Sequence, residues 1–212
     1  MNLKDIKGHY DAIFSLGHLC LAAIQLRDND LRPFAGPLDW VTTNSLTDLN
    51  QLLRNKFAGF MDPKNLRIIG YNTGEKKENS TIYVVDDLYN VGSVHDFDAN
   101  KNTLDHLATY PAVMEKFNRR INRFLEKLSS SNRILFVRTE GSFEEAQELE
   151  RVLSGLVQHD FHVLLVRHSN VKTIIEKNWP LEKICAVELP DQEIWKSNNA
   201  LWTSLFEGVT IG

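Results

Sequence analysis

Asn132-Arg-Ile-Leu-Phe-Val-Arg138, residues 142–157 and Phe161-His-Val-Leu-Leu-Val-Arg167 follow one another in the second half of the chain. The outer two are short apolar runs rich in branched residues, the pattern of strands buried on both faces. The middle segment is amphipathic. Ser142 is its N-cap, and Glu145 completes a capping box three residues later. A short helix over residues 171–177 and a third strand, Ile184-Cys-Ala-Val-Glu-Leu189, continue the alternation. Strand–helix–strand repetition at this spacing predicts parallel pairing through right-handed crossovers. The expected fold is α/β, a three-layer α/β/α sandwich on a mainly parallel sheet.

Working outward, residues 110–128 place Val113, Phe117, Ile121, Phe124, Leu125 and Leu128 at helical spacing, with Arg and Glu between them. At the start of the chain, Tyr10-Asp-Ala-Ile-Phe-Ser15 reads as a buried strand. Ser15-Leu-Gly17 is a tight turn, and residues 19–26 are helix formers. Residues 27–37 are a loop broken by Pro33, Gly36 and Pro37. Thr43 or Asn44 caps a helix running to Leu53. Residues 66–71 and 81–85, separated by a polar turn, predict a small β-hairpin inserted near 66–85. Residues 86–102 read as a polar loop carrying His95. Residues 192–206 read as a last helix with Trp195, Trp202 and Phe206, either docked on the body or offered to a partner. No linker divides residues 1–212, so a single α/β domain is expected.

The 212 residues are 42% hydrophobic and 25% charged, ordinary values for a globular chain. The longest apolar runs fall far short of the ~20 residues a membrane helix needs. The N-terminus lacks the apolar stretch of a secretory signal, so a cytoplasmic location is expected. A net charge of −4 gives no basic excess for nucleic acid. Two cysteines, Cys20 and Cys185, are too few for a disulfide scaffold and lack zinc-site spacing. No dinucleotide, phosphate-loop or Gly-x-Ser-x-Gly motif is present. No cofactor and no metal are expected. His159 and His162 bracket a strand start rather than form a ligand pair.

The chemistry concentrates at Ser15-Leu-Gly-His-Leu-Cys20. A thiol between a strand and a helix sits at the positive end of the helix dipole, which lowers a thiol pKa. Nearby N–H groups can hold an oxyanion. The competing reading is a buried core thiol, since free cysteine is among the most buried residue types. His95, beside Asp96, is a general-base candidate or a surface histidine. His18 polarises the site or caps the helix. Asp39 orients a histidine, with Trp40 excluding water, or the pair anchors a turn. Arg138 ends a buried strand and needs an anion, either a substrate or a carboxylate such as Asp39 or Glu140. Ser15, Arg138, Thr139, Arg167 and His168 fall at the carboxyl edge of the expected sheet, where ligands gather in such folds.

Residues 10–27 (Tyr-Asp-Ala-Ile-Phe-Ser-Leu-Gly-His-Leu-Cys-Leu-Ala-Ala-Ile-Gln-Leu-Arg) resemble the opening motif of a family of papain-like cysteine peptidases, also described as a domain of unknown function. Leu31-Arg-Pro-Phe-Ala-Gly-Pro-Leu-Asp-Trp40 resembles its second motif. His95-Asp-Phe97 and the strand ending in Arg138 resemble later, shorter ones. The resemblance implies Cys20 as nucleophile and His95 as base, with Asp39 or Asp96 as third member. Ser15, Gly17, His18, Trp40, Asp96 and Arg138 would then line the substrate site. The expected substrate is a peptide or small molecule. The alternative is an α/β domain that binds a phosphate or sugar nucleotide through the Ser15–Gly17 turn and Arg138.

Overall fold

A computed structural model describes residues 1–212. The strands are β1 (Gly8–Tyr10), β2 (Ala12–Ser15), β3 (Val41–Thr43), β4 (Leu66–Tyr71), β5 (Thr81–Asp86), β6 (Val91–Asp98), β7 (Arg133–Thr139), β8 (Asp160–Ser169), β9 (Ile175–Glu176), β10 (Ile184–Pro190) and β11 (Val209–Ile211). The α-helices are α1 (Leu21–Asp28), α2 (Leu46–Arg54), α3 (Tyr110–Ser130), α4 (Phe143–Ser154) and α5 (Asn199–Phe206).

The fold is α/β. A five-stranded sheet has the order β2-β7-β8-β10-β9, parallel except for the antiparallel edge strand β9. A second sheet, β3-β6-β5-β4, is wholly antiparallel. β1 and β11 pair in parallel as a separate ribbon. The expectation of one mainly parallel sheet is therefore corrected: the sheets taken together are mixed and antiparallel. The hairpin expected near 66–85 is two strands of the second sheet.

Alternation along the buried strands divides the apolar side chains between two clusters. Phe14, Phe136, Val163, Leu165 and Ile184 join Phe117 and Phe124 of α3 and Leu149 and Leu153 of α4 in one of 36 residues. Ile13, Leu135, Leu164, Val166 and Val187 join Leu21 and Leu26 of α1 and Trp202, Leu205 and Phe206 of α5 in one of 18. Both faces of the five-stranded sheet are thus covered, which is why β7 and β8 read as continuous apolar runs. The second sheet feeds Val41, Ile82, Val84, Val91 and Phe97 into the larger cluster.

Two local expectations fail for physical reasons. Residues 171–177 form no helix: Ile175–Glu176 pairs against Glu188 and Val187 of β10. Val171, Thr173, Ile174 and Ile175 are β-branched, which weakens a helix and suits an extended edge. Residues 91–98 are a strand and not a loop. Their polarity arises because the strand is only half buried and is interrupted by a bulge. The capping box at Ser142 and Glu145 is present, with Glu145 N donating to Ser142 Oγ (3.2 Å) and Ser142 N donating to Glu145 Oε2 (2.9 Å). In the tail, Trp202 and Phe206 are buried, whereas Trp195 is exposed and precedes the helix.

Candidate active site

Beyond β2 the chain keeps one more ladder bond, from Leu16 N to Val137 O (2.8 Å). Gly17 then turns with φ +79°. A Cβ at Gly17 would stand 2.5 Å from Thr43 Oγ1 and 3.1 Å from Arg138 Nη1, so glycine is required by both backbone and space. The turn is clamped from two sides. Gly17 O accepts from Thr139 N (3.0 Å), and His18 O accepts from Thr43 N of β3 (2.8 Å). It thereby joins the two larger sheets. Cys20 follows as N-cap of α1, its carbonyl accepting from Ile24 N (2.9 Å).

The opposing wall is β6. Between the pairs Ile82–Phe97 and Val84–Ser93, Tyr83 alone faces Val94, His95 and Asp96. A bulge of this kind re-aims side chains. Here it carries an exposed His95 to the turn, where Nε2 lies 3.7 Å from Cys20 Sγ. The pair is 75 residues apart in sequence. The Trp40 ring meets His95 edge-on, with centroids 6.4 Å apart and planes at 90°.

The two candidate third members are engaged elsewhere. Asp39 is buried, and its Oδ2 accepts from Arg32 Nε (2.7 Å) and Gly36 N (2.8 Å). Asp96 accepts from Ser93 Oγ (2.6 Å) and pairs with Lys116 of α3. Neither carboxylate bonds His95, whose Nδ1 has no protein partner. Arg32 in turn lies over the Trp40 ring, 5.3 Å from its centroid.

The thiol is not activated by its helix alone. Burial pushes the Cys20 pKa up, its own backbone N–H pulls it down, and the charges of Asp39 and Asp96 raise it further. The expected lowering by the helix start is overridden chiefly by burial of the sulfur, with the two carboxylate charges adding to it. His18 is half-buried, and burial followed by the nearby Arg138 charge holds its pKa below the usual histidine value. The amide N–H groups of His18 and Leu19, in the same turn as the sulfur, have no protein acceptor.

Arg138 is neither a free anion anchor nor half of a carboxylate pair. It is buried, and its guanidinium donates to Leu16 O (2.8 Å), Thr43 O (2.8 Å), Glu140 O (3.2 Å) and Thr43 Oγ1. It bolts the turn to β3. Ser15 is likewise buried and accepts from Gly17 N (3.2 Å). The groups expected to hold a phosphate at this turn are thus occupied by the protein itself. Further along the edge, His168 Nδ1 lies 2.6 Å from Glu140 Oε1, and Arg167 lies 3.6 Å from Glu188. The sequence reading missed Arg32, Lys116 and Arg120. The signal for the last two was only their i, i+4 spacing on α3, which also describes any solvated helix face.

A thiol at a strand–helix turn facing a histidine on a bulged strand defines an α/β protein with a Cys–His pair. Residues 11–171 match the family described as "Putative papain-like cysteine peptidase (DUF1796)", and the chain belongs to that family. It is also similar to a curated relative, "Uncharacterized protein R408" of Acanthamoeba polyphaga mimivirus. The two are 24% identical over 218 residues, covering 92% of this chain and 97% of the relative. No solved structure matches the chain. No helix is long and apolar enough to cross a membrane.

Proposed function

We propose that the protein is a cysteine hydrolase or acyltransferase that acts on a peptide or a small acyl compound, with Cys20 as nucleophile and His95 as base. The observation that carries the reading is the 3.7 Å approach of Cys20 Sγ to His95 Nε2 across two separate sheets. Because burial and the neighbouring carboxylates favour the neutral thiol, Cys20 needs a base to remove its proton as it attacks. His95 carries its proton on Nδ1 and takes the thiol proton on Nε2 as sulfur attacks the carbonyl carbon. The amides of His18 and Leu19 receive the developing oxyanion. His95 then returns the proton to the leaving group, and water or a second acceptor releases the acyl group from sulfur.

Asp39 serves as a positioning residue. It fixes Arg32, Arg32 covers Trp40, and Trp40 abuts the His95 ring. The test is a panel of fluorogenic peptides and activated esters against the wild type, Cys20→Ala and His95→Ala. Turnover that disappears with Cys20→Ala and falls steeply with His95→Ala supports the reading. Turnover retained by Cys20→Ala overturns it.

A further inference from the structure

Two carboxylates, Asp39 and Asp96, act on the Cys20 thiol, and three cations are associated with them. Arg32 is bonded to Asp39, and Lys116 to Asp96. Those two pairs account for both carboxylates of the site. A third cation, Arg120, feels the charges of the same two carboxylates and is half-buried without a hydrogen bond or ion pair of its own.

Its position follows from α3. Lys116, Arg120 and Arg123 recur at i, i+4 and i+7 and so share one face of the helix. At one end of this stripe, Lys116 reaches Asp96, the neighbour of His95 on β6. At the other, Arg123 lies over the ring of Phe34, 5.2 Å from its centroid, in the loop that carries Arg32 and Asp39. Arg120 therefore lies on the helix face between these two contacts. Asp39 and Asp96, the carboxylates that act on the Cys20 thiol, also act on Arg120. A half-buried guanidinium has lost part of its water and gained no protein acceptor in return. A planar carboxylate, which it can grip with two parallel N–H groups, is the natural complement.

We propose that Arg120 is the recognition residue for a carboxylate on the substrate, so that the site selects acyl compounds bearing a negative charge near the reacting carbonyl. The inference rests on the Cys20–His95 reading for its setting, and names the substrate class of that site.

Two alkylating reagents of similar size test it without a known substrate. Iodoacetate carries a carboxylate and iodoacetamide does not. Rates at Cys20 are followed by peptide mass spectrometry on the full chain, with N-acetylcysteine measured alongside as the unselective reference. The iodoacetate-to-iodoacetamide rate ratio at Cys20 is expected to exceed that of N-acetylcysteine. In Arg120→Gln it should fall about tenfold, the scale of one lost charge-assisted contact. Arg120→Lys, which keeps charge and stem but not the fork, should lie between. Added salt should lower the wild-type ratio and leave that of Arg120→Gln nearly flat.

A wild-type ratio no higher than that of N-acetylcysteine overturns the proposal whatever the variants do. So does an equal ratio in wild type and Arg120→Gln. Failure of the nucleophile reading looks different: His95→Ala would leave the iodoacetamide rate unchanged while the ratio still responded to Arg120.

Discussion

A cysteine and a histidine enter the amino-terminal end of the five-stranded sheet, another such pair meets at its carboxyl end with the histidine supplied by β6 of the second sheet, and the two pairs are treated in opposite ways. At the amino-terminal end, Cys185 enters β10 fully buried, and burial pushes its thiol up to about 12. His162 enters β8 there, buried. Its Nδ1 accepts from Arg133 Nη2 (3.1 Å) and lies 2.9 Å from the Tyr10 hydroxyl. Burial and the Arg133 and Lys183 cations outweigh Asp160 and pull its pKa down to about 4. At the carboxyl end, Cys20 is half-buried, His95 is exposed, and the two face each other. Packing silences one pair of groups. A glycine turn and a bulge leave the other pair facing each other at the carboxyl edge, where ligands collect in α/β sheets.

The comparison breaks most decisively at Cys20. Cys20→Ala should reduce turnover by at least about 10³-fold, and His95→Ala by roughly 10²–10⁴-fold. Alkylation of Cys20 adds a pH signature. Since its pKa is raised, the rate should climb about tenfold per pH unit through neutrality, with no plateau at mildly acid pH. A rate already at its plateau near pH 6 would mean a preformed thiolate and would sink the general-base mechanism.

Arg138 tests whether the carboxyl end is truly built rather than merely open. Arg138→Met would orphan the carbonyls of Leu16, Thr43 and Glu140. At about 1–3 kcal/mol for each buried unpaired group, a loss of about 4 kcal/mol in urea unfolding is expected. Cys20 alkylation should then depend less on His95, because the turn keeps only the Thr43 N to His18 O bond to β3.

His162 gives the next largest effect. Its folded pKa lies below the ordinary histidine value of 6.5, so below that pH the unfolded chain binds a proton that the folded chain refuses. Stability contributed by the neutral ring is complete above pH 6.5. It is lost as pH falls towards 4, by about 3 kcal/mol over the window. Urea midpoints at pH 7.5, 5.5 and 4.5 measure it, with His162→Gln as reference. The wild type should lose more stability than the variant across that range, and parallel curves would refute the assignment.

The unequal legibility of the two halves has the same origin as this contrast. β7, β8 and β10 are buried on both faces, so burial alone dictates their residues and they stand out as apolar runs. α3 and α4 are long and one-sided, and Ser142 and Glu145 mark where α4 begins. The antiparallel sheet is half exposed. β3 has three residues, and the β6 bulge interrupts alternation where His95 must be presented. Local pattern therefore signalled a loop. At the site, Gly17 and Cys20 were legible because a glycine turn before a helix is a local feature. The partnership with His95 is set by a register between sheets that no local window contains. An acid beside an aromatic leaves Asp39 open in the sequence as an orienter of the histidine or as the anchor of a turn. Arg32, from the same loop, takes its carboxylate instead.

The smallest effect is expected at Cys185, and its smallness matters. Cys185→Ala removes one buried sulfur from the cluster that includes Leu164, Val187 and Leu205. A single-atom truncation of this kind costs about 1 kcal/mol, read as a modest shift of the urea midpoint. Alkylation of the native chain should modify one thiol, and of the unfolded chain two, since Cys185 reacts only after the sheet opens. In Cys185→Ala, the Cys20 rate, its pH dependence and its preference between iodoacetate and iodoacetamide should match the wild type. The two cysteines lie at opposite ends of the sheet, share no partner, and should act additively. A change in Cys20 chemistry on removing Cys185 would show that the two ends are coupled through β7 and β8, and that the division into a packed end and a reactive end is wrong.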